Sequence, residues 1–172
     1  TLGKAAYNFV DLLESAGQTY WQILPLGPTS FGDSPYQSFS AFAGNPYFID
    51  LDLLKEEGLL YEEDYSDITW CEDKHIINYE LLYNNRFKVL YKAFLRLKEN
   101  LPKDYFEFYE KNKFWLRDYA LFMALKDANG GASWDLWEKD LKIRKGEAIK
   151  KAEEEHKDKI DFYIAINYLF QK

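Results

Sequence analysis

Tyr20-Trp21-Gln22-Ile23-Leu24-Pro25-Leu26 is the stretch on which the reading of the fold turns. It is short, aromatic and β-branched, with Gly17 before it and Gly27-Pro28 after it, and so reads as a strand. Pro25 and Pro28 end the pairing there, because neither can donate to a ladder. Upstream, Ala6, Phe9, Val10, Leu13 and Ala16 recur at helical spacing over residues 4–16, with Gly17 at the position just past the helix end. A helix, a short turn and a buried apolar strand make half of a βαβ unit. That order predicts an α/β fold with parallel strands.

Downstream, residues 27–46 form a loop of about twenty residues, a length that is usually functional or disordered. Its rings, Phe31, Tyr36, Phe39 and Phe42, argue against disorder. Tyr47 to Leu51 reads as a short extended piece, Leu53 to Glu57 as a helical turn closed by Gly58, and residues 61–78 as loop. From Tyr79 the pattern is helical. A stripe through Leu82, Phe87, Leu90, Tyr91 and Phe94 predicts a helix over 79–99, broken by Pro102. Further helices are predicted over 104–112 and 114–128, the latter stopped by Gly130-Gly131. Trp134 and Trp137 fall in a short turn expected to pack on neighbouring helices. A last helix is predicted from Gly146 to the end, with Glu147–Lys151, Glu153–Lys157 and Glu155–Lys159 as i,i+4 pairs and an apolar second half that docks.

The chain has 172 residues, 47% hydrophobic, enough to bury a core in one domain with room for a satellite. Its formal net charge is −7, which gives a polyphosphate partner no help and argues against nucleic acid and anionic membrane surfaces. A single cysteine, Cys71, can form no intrachain disulfide, in keeping with a reducing compartment. No apolar run approaches the ~20 residues that span a bilayer, and no signal-peptide pattern is seen. A cytoplasmic location is expected. Aromatics reach 19%, and rings serve both core packing and the stacking of pyranose faces. The chain starts at Thr1, its one methionine is Met123, and residues 160–170 are still helical in pattern near the end. A segment of a larger polypeptide is the expectation.

Two longer patterns carry more information. Trp21-Gln22-Ile23-Leu24-Pro25-Leu26-Gly27-Pro28-Thr29 runs into Gly32-Asp33-Ser34-Pro35-Tyr36-Gln37-Ser38-Phe39-Ser40-Ala41-Phe42-Ala43-Gly44-Asn45-Pro46. Later comes Trp115-Leu116-Arg117-Asp118-Tyr119-Ala120-Leu121-Phe122-Met123-Ala124-Leu125-Lys126. In this order the two stretches closely resemble the amylomaltase family, the 4-α-glucanotransferases of glycoside hydrolase family 77. The resemblance covers essentially the whole chain. It implies part of a (β/α)₈ TIM barrel, α/β in class, with residues 20–26 as the second strand and a large, mostly helical insertion. The segments would be 1–46 barrel, 47–155 insertion and 156–172 barrel helix. Barrel sites lie in the loops after the strands, which is where residues 27–46 fall.

The resemblance implies substrate-binding roles residue by residue. Tyr36 matches the tyrosine that stacks on a glucosyl unit beside the reaction centre, and otherwise reads as a loop-packing ring. Ser34 and Asp33 offer a hydroxyl and a carboxylate to sugar hydroxyls, although Asp33 after Gly32 reads equally as a turn residue. Phe31 stands where many members carry tyrosine in a glucan site remote from the reaction centre; Tyr83 matches that site's other ring, with core packing as its alternative. His75, His156 and Cys71 lack metal-ligand spacing, and Asp118 reads as structural. No cofactor or metal is implied.

Retaining glycosyl transfer needs a carboxylate nucleophile and a carboxylic acid/base about 5–5.5 Å apart. In the family these come from later strands, so no catalytic residue is assigned within the chain. The expected partners are maltooligosaccharides, starch- or glycogen-type α-1,4-glucans and the remainder of the polypeptide, with no nucleic acid and no membrane. The rival readings are an α-amylase-type hydrolase fragment and a non-catalytic carbohydrate-binding or helical interaction module. The apolar faces of residues 6–16 and 160–170 are expected to lie uncovered, and the helices of 79–128 to pack on one another.

Overall fold

The computed structural model describes residues 1–172 apart from Phe31 and Lys74. Its regular elements are helices: α1 Lys4–Ser15, α2 Leu51–Glu56, α3 Tyr79–Glu99, α4 Lys103–Ala128, α5 Lys139–Lys142, α6 Gly146–Glu155 and α7 Lys157–Gln171. Short 3₁₀ turns occur at Pro46–Phe48, Glu62–Asp64 and Trp134–Leu136. The chain divides into two compact units, residues 1–101 with 169–172, and residues 102–168.

The expected strand is not there. Among the described residues no β-strand forms, and extended chain pairs only at the antiparallel bridge Thr29–Ser38. A strand exists through its ladder, and the single bond from Asn45 N–H to Leu26 C=O does not make one for residues 20–26. The composition that signals a strand is nonetheless displayed: Tyr20 is 92% exposed, and Trp21, Ile23 and Leu24 are exposed too. The Trp21 ring meets Phe9 of α1 edge-on at 5.1 Å. As expected, α1 buries no residue, and Gly17 closes it at φ 71°.

In the first unit the core is Ile49, Leu51, Leu54, Leu60, Val89, Leu90, Ala93, Phe94 and Leu97. Of residues 47–51 only Ile49 and Asp50 are extended, between a 3₁₀ turn and α2. Pro46 opens a 3₁₀ turn whose first N–H groups include one capped by the Asn45 side chain, and Asp50 caps α2 by accepting from the N–H groups of Asp52 and Leu53. Asn78 caps α3 by accepting from Leu81 N–H at 3.1 Å. Arg86 reaches from α3 to main-chain carbonyls of this segment: Nε donates to Pro46 and Nη2 to Tyr47, each at 3.4 Å, and Nη2 also to Ile49. Beyond it, the half-buried ion cluster of Asp64 with Arg96 (2.6 Å) and Lys92 (3.3 Å) ties α3 to the 3₁₀ turn at 62–64.

In the second unit α4 runs unbroken where two helices were expected. Nothing between Asn112 and Phe114 stops it, and Asn112 returns its side-chain N–H to Phe108 C=O four residues back at 2.8 Å. The last helix, by contrast, breaks at His156 into α6 and α7. Glu153 therefore pairs with Arg117 at 2.9 Å, and Lys157 with Asp161 at 2.6 Å, in place of the expected Glu153–Lys157. The expectation of an uncovered face on 160–170 also fails. Ile160, Phe162, Tyr163, Ile164, Ala165, Ile166, Tyr168 and Leu169 are all buried. Rings explain part of this: Tyr168 packs on Tyr105 (5.2 Å) and Phe108 (5.8 Å) of α4 and donates its hydroxyl to Asp104 at 2.9 Å. Of the two tryptophans in the 134–137 turn, Trp137 is buried against Phe122 and Trp134 is exposed.

Candidate functional site

The loop expected to carry the site is a built structure that closes on its own polar groups. At its neck Asn45 N–H donates to Leu26 C=O at 2.9 Å. Inside, Ser30 N–H donates to Gln37 C=O at 3.2 Å beside the Thr29–Ser38 bridge. Ser38 Oγ donates to Ser40 C=O at 2.8 Å, while Ser40 Oγ accepts from the N–H groups of Phe42 and Ala43, both at 3.1 Å. A Cβ on Gly27 would come within 2.8 Å of Ser38 Oγ, so the close approach of the two arms needs glycine there. Much of the long motif thus specifies the shape of the loop.

Asp33 sits at the tip in the left-handed region, φ 54°, which a short polar side chain tolerates. Its N–H donates to Ser30 C=O at 3.1 Å and its carboxylate accepts from Thr29 Oγ1 at 3.4 Å, so the turn geometry is present. Ser34 Oγ accepts from Tyr36 N–H at 3.4 Å. Tyr36, 76% exposed, extends its ring into solvent. Tyr83, on α3, is 69% exposed. Phe31 lies outside the described residues.

Two of these act on Tyr47, which directly follows the motif and to which no role was assigned. Its half-buried ring packs at a tilt on Tyr79 (6.4 Å) and edge-on against Phe87 (6.3 Å) of α3. Burial first, and then the Asp33 carboxylate and the Tyr83 and Tyr79 phenols, push its hydroxyl up to about 12. The Asp33 carboxylate of the loop and the Tyr83 phenol of α3 thus both act on the ionisation of this one phenol. Tyr79, Tyr83 and Phe87 stand four residues apart, one aromatic face of a helix. That spacing is the signal the sequence offered for this cluster. The result is a platform of rings with a carboxylate at its edge, suited to a polyhydroxylated ligand with apolar faces.

Other concavities offer less. A groove of about 390 Å³ in the second unit is lined by Tyr109, Leu121, Ile160 and Ile164. Four of its charged side chains are already paired, Arg117 with Glu153 and Lys157 with Asp161. Among the described residues no group of histidine, cysteine and carboxylate side chains could hold a metal ion. No described helix is long and apolar enough to cross a membrane.

The whole chain matches a defined class of carbohydrate-active proteins. The family profile described as 4-alpha-glucanotransferase, glycoside hydrolase family 77, matches residues 1–172, and the chain belongs to that family. It is 51% identical over 170 residues to the 4-alpha-glucanotransferase of Clostridium butyricum, covering 99% of this chain and 35% of that protein. To that of Thermus thermophilus it is 43% identical over 173 residues (98% and 34%). The chloroplastic/amyloplastic 4-alpha-glucanotransferase of Arabidopsis thaliana is 34% identical over 176 residues (99% and 30%). Among solved structures, the amylomaltase from Streptococcus agalactiae in complex with acarbose superposes with a TM-score of 0.94 at 38% identity, covering 99% of this chain and 35% of that one. The chain thus spans about a third of the length of these relatives.

Proposed function

We propose that the polypeptide carrying this chain is a cytoplasmic 4-α-glucanotransferase acting on maltooligosaccharides and starch- or glycogen-type glucans. The chain would supply substrate-binding side chains, Tyr36, Ser34, Asp33, Phe31 and Tyr83, to a (β/α)₈ barrel. The segments are 1–46 barrel, 47–155 helical insertion and 156–172 barrel helix. The observation that carries the reading is the match of the whole chain to one family, joined to an exposed ring at Tyr36 and the ring platform around Tyr47. Phe31 is included on its place in the motif alone.

The reaction is double displacement. A carboxylate attacks the anomeric carbon as the glycosidic oxygen takes a proton from the acid; the acceptor's 4-hydroxyl then displaces that carboxylate and returns a proton to the base. Both carboxylates come from outside this chain, so the 172-residue chain alone is expected to bind glucan without transferring it. The test is incubation of the full-length polypeptide with maltotriose. Transfer yields glucose and longer maltodextrins while the number of reducing ends stays constant. A rise in reducing ends would favour the hydrolase reading, and an unchanged substrate would refute both.

A further inference from the structure

Among the described residues Arg86 is the buried cation of the first unit, 4% exposed, and donates to main-chain oxygens. It takes the carbonyls of Pro46, Tyr47 and Ile49, while Phe48 C=O accepts from Leu2 N–H at 2.8 Å. The Trp70 ring lies 5.7 Å from the guanidinium carbon. Burial lowers the hold on its proton to about 10, which still leaves it charged at neutral pH, with Asp50 opposing the effect. Stability alone does not explain such a group. A buried charge is costly, and well-packed apolar replacements often do as well or better. What an apolar side chain cannot do is hold three carbonyls of an irregular segment in one arrangement, for which a planar fork of donors is suited.

The segment it holds ends the loop, and the helix it comes from carries the platform. Arg86 lies three residues after Tyr83 and seven after Tyr79 on α3, and Tyr47, whose carbonyl it takes, packs on Tyr79 and Phe87. We propose that Arg86 is a positioning residue for glucan binding: its guanidinium ties Pro46, Tyr47 and Ile49 to α3 and so sets Tyr47 and the loop behind it against Tyr83. This rests on the glucan-binding reading above. Arg86 itself touches no ligand in this scheme.

The experiment uses the full-length polypeptide and the Arg86→Lys, Tyr83→Ala and double variants, with maltoheptaose as the probe in calorimetry. Arg86→Lys keeps the buried charge and loses the fork. It is expected to weaken maltoheptaose binding by about three- to tenfold, and by less than about twofold when Tyr83 is already alanine, the non-additivity of coupled residues. A second readout needs no ligand: ¹³Cζ-tyrosine NMR should show Tyr47 ionising earlier in Arg86→Lys. Additive losses, or a fall in Tm with binding and Tyr47 titration unchanged, would overturn the inference and leave the proposed function standing. Failure of the unsubstituted protein to bind maltoheptaose would overturn both.

Discussion

Gly44 lies directly beneath the Phe170 ring, so that a Cβ built on the glycine would fall inside the ring's envelope. The neck of the loop is thereby closed by the end of α7, in the same unit. Gly44→Ala should push the ring or the neck aside. Overpacking of this kind costs about 1–3 kcal/mol, expected as a lower Tm. Gly146→Ala is the control, because nothing lies within 4 Å of its Cβ position and it opens a helix. Equal Tm values for the two variants would show that the contact at Gly44 relaxes freely.

Asp64 gives the first unit an acid-sensitive clasp. The hydrogen bond from Arg96, with help from Tyr61 N–H and Lys92 and against some desolvation, lowers its carboxyl to about 2 from an ordinary 3.8. A depressed folded-state value means that the stabilisation is present above the unfolded value and is lost as pH falls from about 3.8 through about 2. In Asp64→Asn that portion of the acid transition should disappear while stability at neutral pH drops. Tm against pH between 4 and 2, for both proteins, checks it. Parallel curves would mean that the clasp contributes nothing.

Protection from hydrogen exchange should divide the chain sharply. Leu121 and Leu125 are buried in α4, with ladder bonds on both sides. Residues 21–24 are exposed and belong to no helix or strand. In the isolated chain, amides of 121–125 are expected to exchange orders of magnitude more slowly than those of 21–24. Equal protection in a monomer would mean that residues 21–24 find a ladder absent from this structure.

How much of this the sequence showed depends on where the partners of each residue lie. The boundaries of α1 and α3 were legible because breakers such as Gly17 and Pro102 act locally. The seam inside α4 was misread because Asn112 can serve either a helix end or an i−4 bond. Residues 20–26 carry a strand's composition without its ladder, which is a property of neighbours rather than of the segment. In the loop, Asp33, Ser34 and Tyr36 were singled out through a long motif. Tyr47 was passed over because its meaning arises only when α3 brings Tyr79 and Phe87 beside it. Arg86 went unremarked because nothing in a helical stretch tells a buried arginine from a solvated one.

The final prediction separates the two exposed rings. Tyr36 stands on the loop with its ring in solvent, whereas Tyr83 stands on α3 at the edge of the Tyr47 platform. A ring beside the bond being broken can bind the distorted transition state better than the ground state, and its loss then appears in kcat. A ring that binds distant glucosyl units contributes the same to both states, so its loss appears in KM and grows with glucan length. In the full-length polypeptide, Tyr36→Ala is therefore expected to lower kcat on maltotriose by about tenfold or more, equivalent to about 1.4 kcal/mol of transition-state stabilisation. Tyr83→Ala should leave kcat on maltotriose within about twofold and raise KM for long maltodextrins. Tyr36→Phe tests the mechanism further: if stacking is what matters, most of the kcat should survive loss of the hydroxyl. Equal losses of kcat in Tyr36→Ala and Tyr83→Ala would place both rings at one site and refute the division.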